Sequence, residues 1–298
     1  MHKTASISII FLLRKISYRL FYRNKNLFLS FLLPLIFFSF LEADIIEEKT
    51  LPSIRLVPVE PTPEASAIET RLAFPKEGEE VKNPVTLQMR IEGFSLGYPT
   101  ELPRAKEIRD SKEGQAIRIL IDNNFSYEAN EAIDEFLDSE EADFNQTVKF
   151  TLPKKLPEGE HIIRLFLIRS YGEALKGKNS YKTSFFNVGK NSKKGLPSFD
   201  LSKPFITYNE PRGEFSGKNP LLLDFLVNNI QLSNDGYKVR VIIDKKDMRI
   251  LTQEIPYYIY GLSPGSHTIE LQLLDSHNKV VPPPTEKLEI KPQKISIQ

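Results

Sequence analysis

The sequence reads as an all-β chain, two tandem sandwiches behind an apolar leader and a proline-rich stalk. Three features carry that reading. Short apolar-polar alternations recur with turn residues between them, which is the period of half-buried strands. Matched blocks return in the same order in the two halves. Beyond the leader, little of the chain has helical spacing.

The leader is Leu27–Leu41, LFLSFLLPLIFFSFL, without a charge and directly behind Lys3, Arg14, Lys15, Arg19, Arg23 and Lys25. A basic region, a short apolar core and then Glu42-Ala43-Asp44 is the layout of a secretory signal cut after Ala43, and it also fits a retained amino-terminal anchor. As a helix the core would span roughly 22 Å at 1.5 Å per residue, short of the ~30 Å hydrocarbon layer, which favours cleavage. Leu41, large for its place before the cut, and a second apolar patch at Ile7–Leu13 weigh the other way, and a buried core helix is the third reading. In the first two, the cations hold the amino end in the cytoplasm and the remainder crosses. Residues 1–43 are therefore read as signal peptide or membrane anchor. The protein is expected to be exported, periplasmic or envelope-associated, or tethered in the inner membrane through residues 27–41 with its carboxy-terminal domains outside the cytoplasm.

Residues 44–71 carry Pro52, Pro58, Pro61 and Pro63, a density that opposes helix and central strand and favours an extended spacer. The first domain is expected over 72–188. Val85, Leu87, Met89 and Ile91 alternate with polar residues, as do Ile117, Ile119 and Ile121, and then His161, Ile163, Leu165 and Leu167. A linker, 189–204, is rich in Gly, Lys, Ser and Pro. The second domain, 205–292, copies the order, and a tail, 293–298, follows. Lys82-Asn83-Pro84 returns as Lys218-Asn219-Pro220, IRILID (Ile117–Asp122) as VRVIID (Val239–Asp244), and LPEGEHIIRLFLIRS (Leu156–Ser170) as LSPGSHTIELQLLDS (Leu262–Ser276).

In the last pair, Gly159 and Gly265 suit a tight turn into a strand. His161 and His267 share the parity of the apolar positions and point inward, where a ring with a polar tip can pin the strand to its corner. Leu-x-x-Gly-x-His-x-apolar-x-apolar resembles the corner before a late strand of bacterial immunoglobulin-like and fibronectin type III-like domains, where an aromatic ring often fills that place. Leu262–Ile269 with Asp275 is the better match, and Arg169 replaces the aspartate in the first copy. The resemblance spans roughly residues 72–292 and implies tandem Ig-like sandwiches. It implies little about function, since such folds host many roles.

Composition narrows the chemistry. Cysteine is absent, which excludes disulfides, thiolate nucleophiles and Cys-ligated metal. From Asp44 onward 34 basic residues face 38 acidic ones, so the body has no electrostatic footprint for nucleic acid. No hydrolase, phosphate-loop, dinucleotide or zinc-protease motif occurs, and no catalytic, metal or cofactor residue is assigned. Gly159, His161, Gly265 and His267 are read as structural corners. Tyr257, Tyr258 and Tyr260 are candidate ligand contacts, with at least one expected in the core because the parity splits them. Glu128–Asp143, an acid-rich insertion without a base, reads as a short amphipathic helix, with calcium or a basic partner as the sharper readings. The expectation is a non-catalytic bacterial envelope protein, spacer or protein-binding module, whose partner is an envelope protein or a glycan. A carbohydrate-binding accessory module and an enzyme with an unfamiliar carboxylate site are the alternatives.

Overall fold

The computed structural model describes residues 53–64, 67–133, 145–190, 197–216 and 220–298. The leader, Lys218-Asn219 and positions 134–143 of the acidic insertion lie outside the described residues. Leu51–Gln298 form one compact unit.

The chain begins its β-structure with β1 (Arg55–Pro58) and then builds a first sandwich. One sheet has the order β2 (Glu69–Phe74), β4 (Thr86–Glu92), β7 (Asn145–Thr151). The other has the order β3 (Glu80–Val81), β9 (Tyr181–Val188), β8 (Gly159–Ile168), β5 (Ala116–Ile121), β6 (Phe125–Ala129). A single-turn helix, α1 (Arg104–Glu107), sits in the connection between β4 and β5. The early strand β3 leaves the first sheet to pair in parallel with the last, β9. This is the strand arrangement of an immunoglobulin-like sandwich. The inward alternation predicted from sequence fills the core: Leu87, Met89 and Ile91 face Ile117, Ile119, Ile121, Ile163, Leu165 and Phe186.

The second sandwich repeats the plan. β10 (Phe205–Glu210), β12 (Leu221–Asn228) and β15 (Tyr257–Tyr260) form one sheet. β11 (Gly213–Phe215), β17 (Gln293–Ile297), β16 (Gly265–Leu274), β13 (Lys238–Ile243) and β14 (Lys246–Leu251) form the other. Again the short early strand β11 runs parallel to the last strand β17. Leu223, Phe225, Val239, Val241, Ile243, Ile269 and Leu271 make the core.

Three segment assignments change. Residues 44–71, expected as a stalk, supply β1, which pairs antiparallel with β15 and puts Leu56 into the second core. The prolines do not prevent this, because β1 is an edge strand and Pro58 stands at its end, where a missing N–H forfeits no bond. Residues 293–298, expected as a tail, supply β17, whose Ile295 and Ile297 alternate into the same core. The linker also has fixed parts. Phe199 is buried with Ile162, Phe185, Phe205 and Leu288, its ring edge-on to Phe185 at 5.9 Å.

Candidate functional site: the seam between the sandwiches

The two matched histidines make the same hydrogen bonds atom for atom. His161 Nδ1 lies 2.9 Å from Asp122 Oδ2 and its Nε2 lies 3.0 Å from the Pro157 carbonyl. His267 Nδ1 lies 2.7 Å from Asp244 Oδ2 and its Nε2 lies 2.8 Å from the Ser263 carbonyl. The second carboxylate oxygen of each aspartate accepts the backbone N–H that follows the histidine, of Ile162 at 2.9 Å and of Thr268 at 2.8 Å. Both aspartates stand at φ 51°, a left-handed turn that Asp tolerates better than most residues. Gly159 (φ 121°) and Gly265 (φ 131°) take angles that side chains rarely adopt. Both nitrogens of each ring face oxygen acceptors, so neither offers a free lone pair to a substrate. The aspartates went unassigned in the sequence, although each closes a repeated block, IRILID and VRVIID.

At the second corner, burial of the ring works against its charge. The Asp244 hydrogen bond, the Ser263 carbonyl and the Asp244 charge outweigh it and leave the His267 pKa raised. Asp244 moves the opposite way: slight burial raises it, but the bonds from His267 and the Thr268 N–H bring its pKa below the ordinary value.

The tyrosines do not form an open platform. Tyr257 is packed in the second core and Tyr258 lies against Ile108, Tyr171 and Leu222, with exposures of 3% and 4%. The Tyr258 hydroxyl donates to Glu107 Oε2 at 2.7 Å, and burial together with that carboxylate pushes its pKa up. Tyr260 is half-buried, edge-on to Tyr258 at 6.2 Å and beneath Arg55 at 5.4 Å. A ligand needs exposed ring faces to stack on, and sheet pairing of β15 with β1 and β12 takes two of the three inside.

What brings functional groups together is the packing of one sandwich on the other. The outward faces of β5 and β8 contribute Leu120, Phe166 and Ile168, which bury against Leu226 of β12. Charged residues at alternate positions of the same strands are buried with them. Arg118 Nη1 donates to Glu210 Oε1 at 2.9 Å, to the Asn209 carbonyl at 3.1 Å and to the Asn209 side chain, while Nη2 donates to Glu128. Desolvation would lower the Arg118 pKa, but Glu210 and Glu128 more than offset it. Asp224, 0% exposed, accepts from Lys176 Nζ at 2.7 Å, Asn209 Nδ2 at 2.6 Å and the Ala174 N–H at 3.1 Å.

The segment after β1 straps the seam. Val59 N–H donates to the Pro256 carbonyl at 3.0 Å in the second sandwich. Thr62 N–H then donates to Glu173 Oε1 at 3.0 Å in the first, where Arg104 also pairs with Glu173. Glu64 accepts from the Lys176 and Gly177 N–H groups at 2.5 and 2.8 Å. At one end the seam opens into a cleft of about 320 Å³, bordered by Arg109, Arg118, Glu128, Tyr171, Glu210 and Phe215. Within it Arg118 is paired with both Glu128 and Glu210.

No protein-family model and no curated protein matches the chain. Solved structures do. Fibronectin(III)-like modules of Clostridium thermocellum CbhA match at 11% identity and a TM-score of 0.24, over 76% of this chain and 92% of that one. Dimeric latent PorU from Porphyromonas gingivalis matches at 16% identity and a TM-score of 0.25, over 78% of this chain and 20% of that one. A Bacteroides ovatus SGBP-B, solved in complex with a mixed-linkage heptasaccharide, matches at 12% identity and a TM-score of 0.22, over 76% of this chain and 45% of that one. The likeness is one of fold only.

Proposed function

We propose that the chain is a non-catalytic, exported module of a bacterial envelope, in which two Ig-like sandwiches act as one body that spaces or binds other proteins. One observation carries the reading: the sandwiches are joined face to face by a seam that buries Arg118 with Glu210 and Lys176 with Asp224. Separating the seam would also return the apolar side chains of Leu120, Phe166, Ile168 and Leu226 to water, at about 1.5–3 kcal/mol for each fully buried one, so the tandem moves as a unit. A spacer needs that property and an enzyme does not. The histidine corners serve architecture in this reading, because both ring nitrogens are spent within the corner. Free edges remain for a partner strand. β14 ends its sheet and carries Ile250 at 46% exposure, the kind of edge that an added strand extends.

The address is tested by fusing to the carboxy terminus a phosphatase that is active only outside the cytoplasm. Active fusions are expected, and deletion of residues 1–43 should silence them. A fusion that stays inactive with the leader intact overturns export. Amino-terminal analysis of the native protein in membrane and soluble fractions then separates a cut after Ala43 from a retained anchor.

A further inference from the structure

A second cavity on the seam, of about 180 Å³, is bordered by Asp122, Asn123, Arg164, Tyr208, Arg212 and Lys291 among others. Its cations are not balanced. Arg164 is 1% exposed, yet its bonds go to neutral groups only: the Asp122 carbonyl at 2.5 Å, Asn123 Oδ1 at 2.6 Å and Thr207 Oγ1 at 3.2 Å. Its Nε has no hydrogen-bond partner. Arg212 likewise gives its Nε to the Asn209 carbonyl at 2.6 Å and Nη2 to the Tyr208 carbonyl at 2.9 Å. Among the described residues neither guanidinium has a carboxylate at ion-pair distance, whereas Arg104 and Arg118 do.

The carboxylate that borders the cavity, Asp122, is committed elsewhere, with one oxygen to the Ile162 N–H and the other to His161. Lys287 stands 3.9 Å from it and adds a further cation nearby. Exposed Lys291 completes the rim. Burial alone lowers the Arg164 pKa, and burial followed by the neighbouring Arg118 charge lowers that of Arg212. Asp122 beside Arg164 and Glu210 beside Arg212 offset only part of this, and a buried cation with no ion pair is costly, so the cavity gains from an anion. The position is particular to the first sandwich, because Glu270 stands in the second copy where Arg164 stands in the first.

We infer that this cavity is a binding site for a phosphate-type oxyanion, held by the Arg164 and Arg212 guanidiniums with Lys291 at the mouth. The volume admits one such group with a few waters, at ~30 Å³ per water. Guanidinium forks suit its paired oxygens better than a simple halide. The same chemistry is presented by free phosphate and by the headgroup of an anionic phospholipid.

Calorimetric titration of the purified chain with inorganic phosphate, at constant ionic strength set by chloride, tests the free ion. Flotation with phosphatidylglycerol vesicles tests the headgroup. Saturable binding in either arm is expected, together with a phosphate-dependent rise in Tm for the free ion. Arg212→Gln with Lys291→Gln should weaken binding at least tenfold, while Arg240→Gln on the outward face of the second sandwich leaves it unchanged. Both double-variant positions are at the mouth or half-buried, and their fold is checked by circular dichroism; Arg164→Lys, which keeps the charge, should retain part of the affinity. Absence of binding in both arms, or binding that survives the double substitution, overturns the site.

Discussion

Strands β5 and β8 of the first sandwich and their counterparts β13 and β16 of the second come from the same repeated blocks, but their surroundings differ. β13 alternates between buried and half-buried residues, and most of β16 does too; β5 is buried on both faces, and so is β8 from His161 onward. Inward, the two copies agree: Ile117 and Val239, Ile163 and Ile269, His161 and His267. Outward, Ile162, Arg164 and Phe166 of the first copy stand opposite Thr268, Glu270 and Gln272 of the second. The inward set specifies a sandwich, and the outward set decides whether this sheet is covered. The two copies thus share the pattern of the core and differ on the outward face of this sheet.

The largest effect that would expose this asymmetry is at the matched pair Phe166 and Gln272. Phe166→Ala, at a fully buried seam position, should cost about 3–5 kcal/mol in urea unfolding, against about 0.5 kcal/mol or less for Gln272→Ala. Equal losses would mean that the seam contributes nothing to stability.

A smaller contrast is expected at the two corners. Asp122 lies within the seam with a side chain 6% exposed, whereas that of Asp244 is 40% exposed. Asp122→Ala leaves the Ile162 N–H and the His161 ring without a buried acceptor, for about 3 kcal/mol; water can replace Asp244, so Asp244→Ala should cost about 1 kcal/mol.

The smallest is a pH effect at the second corner. His267 has a folded pKa above its ordinary 6.5, so its share of stability is complete below that value and is lost as pH rises through the folded one. Asp244 has a folded pKa below its ordinary 3.8, so its share is present above that value and is lost as pH falls through the folded one. The pair is therefore most stabilising between about pH 4 and 6.5. Thermal melts of Asp244→Asn should show a flatter decline on the alkaline side of that window than the parent, and an unchanged slope would remove the ion pair from the account.

Much of the fold could be read from single-strand alternation. The period-2 runs at Leu87–Ile91 and Ile117–Ile121 each became a strand with the expected face inward. The glycine turns were legible because few residues other than Gly accept those angles. The aspartate partners of the histidines were half-legible: they recur at matched positions, but a recurring Asp at a strand end reads as a turn residue until its distance to the histidine is known. Arg55–Pro58 was misread because proline density speaks for the local backbone, and an edge strand is made by the neighbour that receives it.

Local pattern settled that this chain is β, that matched blocks recur in it, and which face of the alternating runs turns inward, because side-chain parity and turn geometry act over a few residues. Which outward face is covered, where the amino-terminal strap lies, and why Arg164 is buried without a carboxylate depended on contacts between residues far apart in the chain. Arg118 and Glu210, or Asp224 and Lys176, are ordinary surface residues in any short window; the stacking of two sheets removes them from water and makes their charges count.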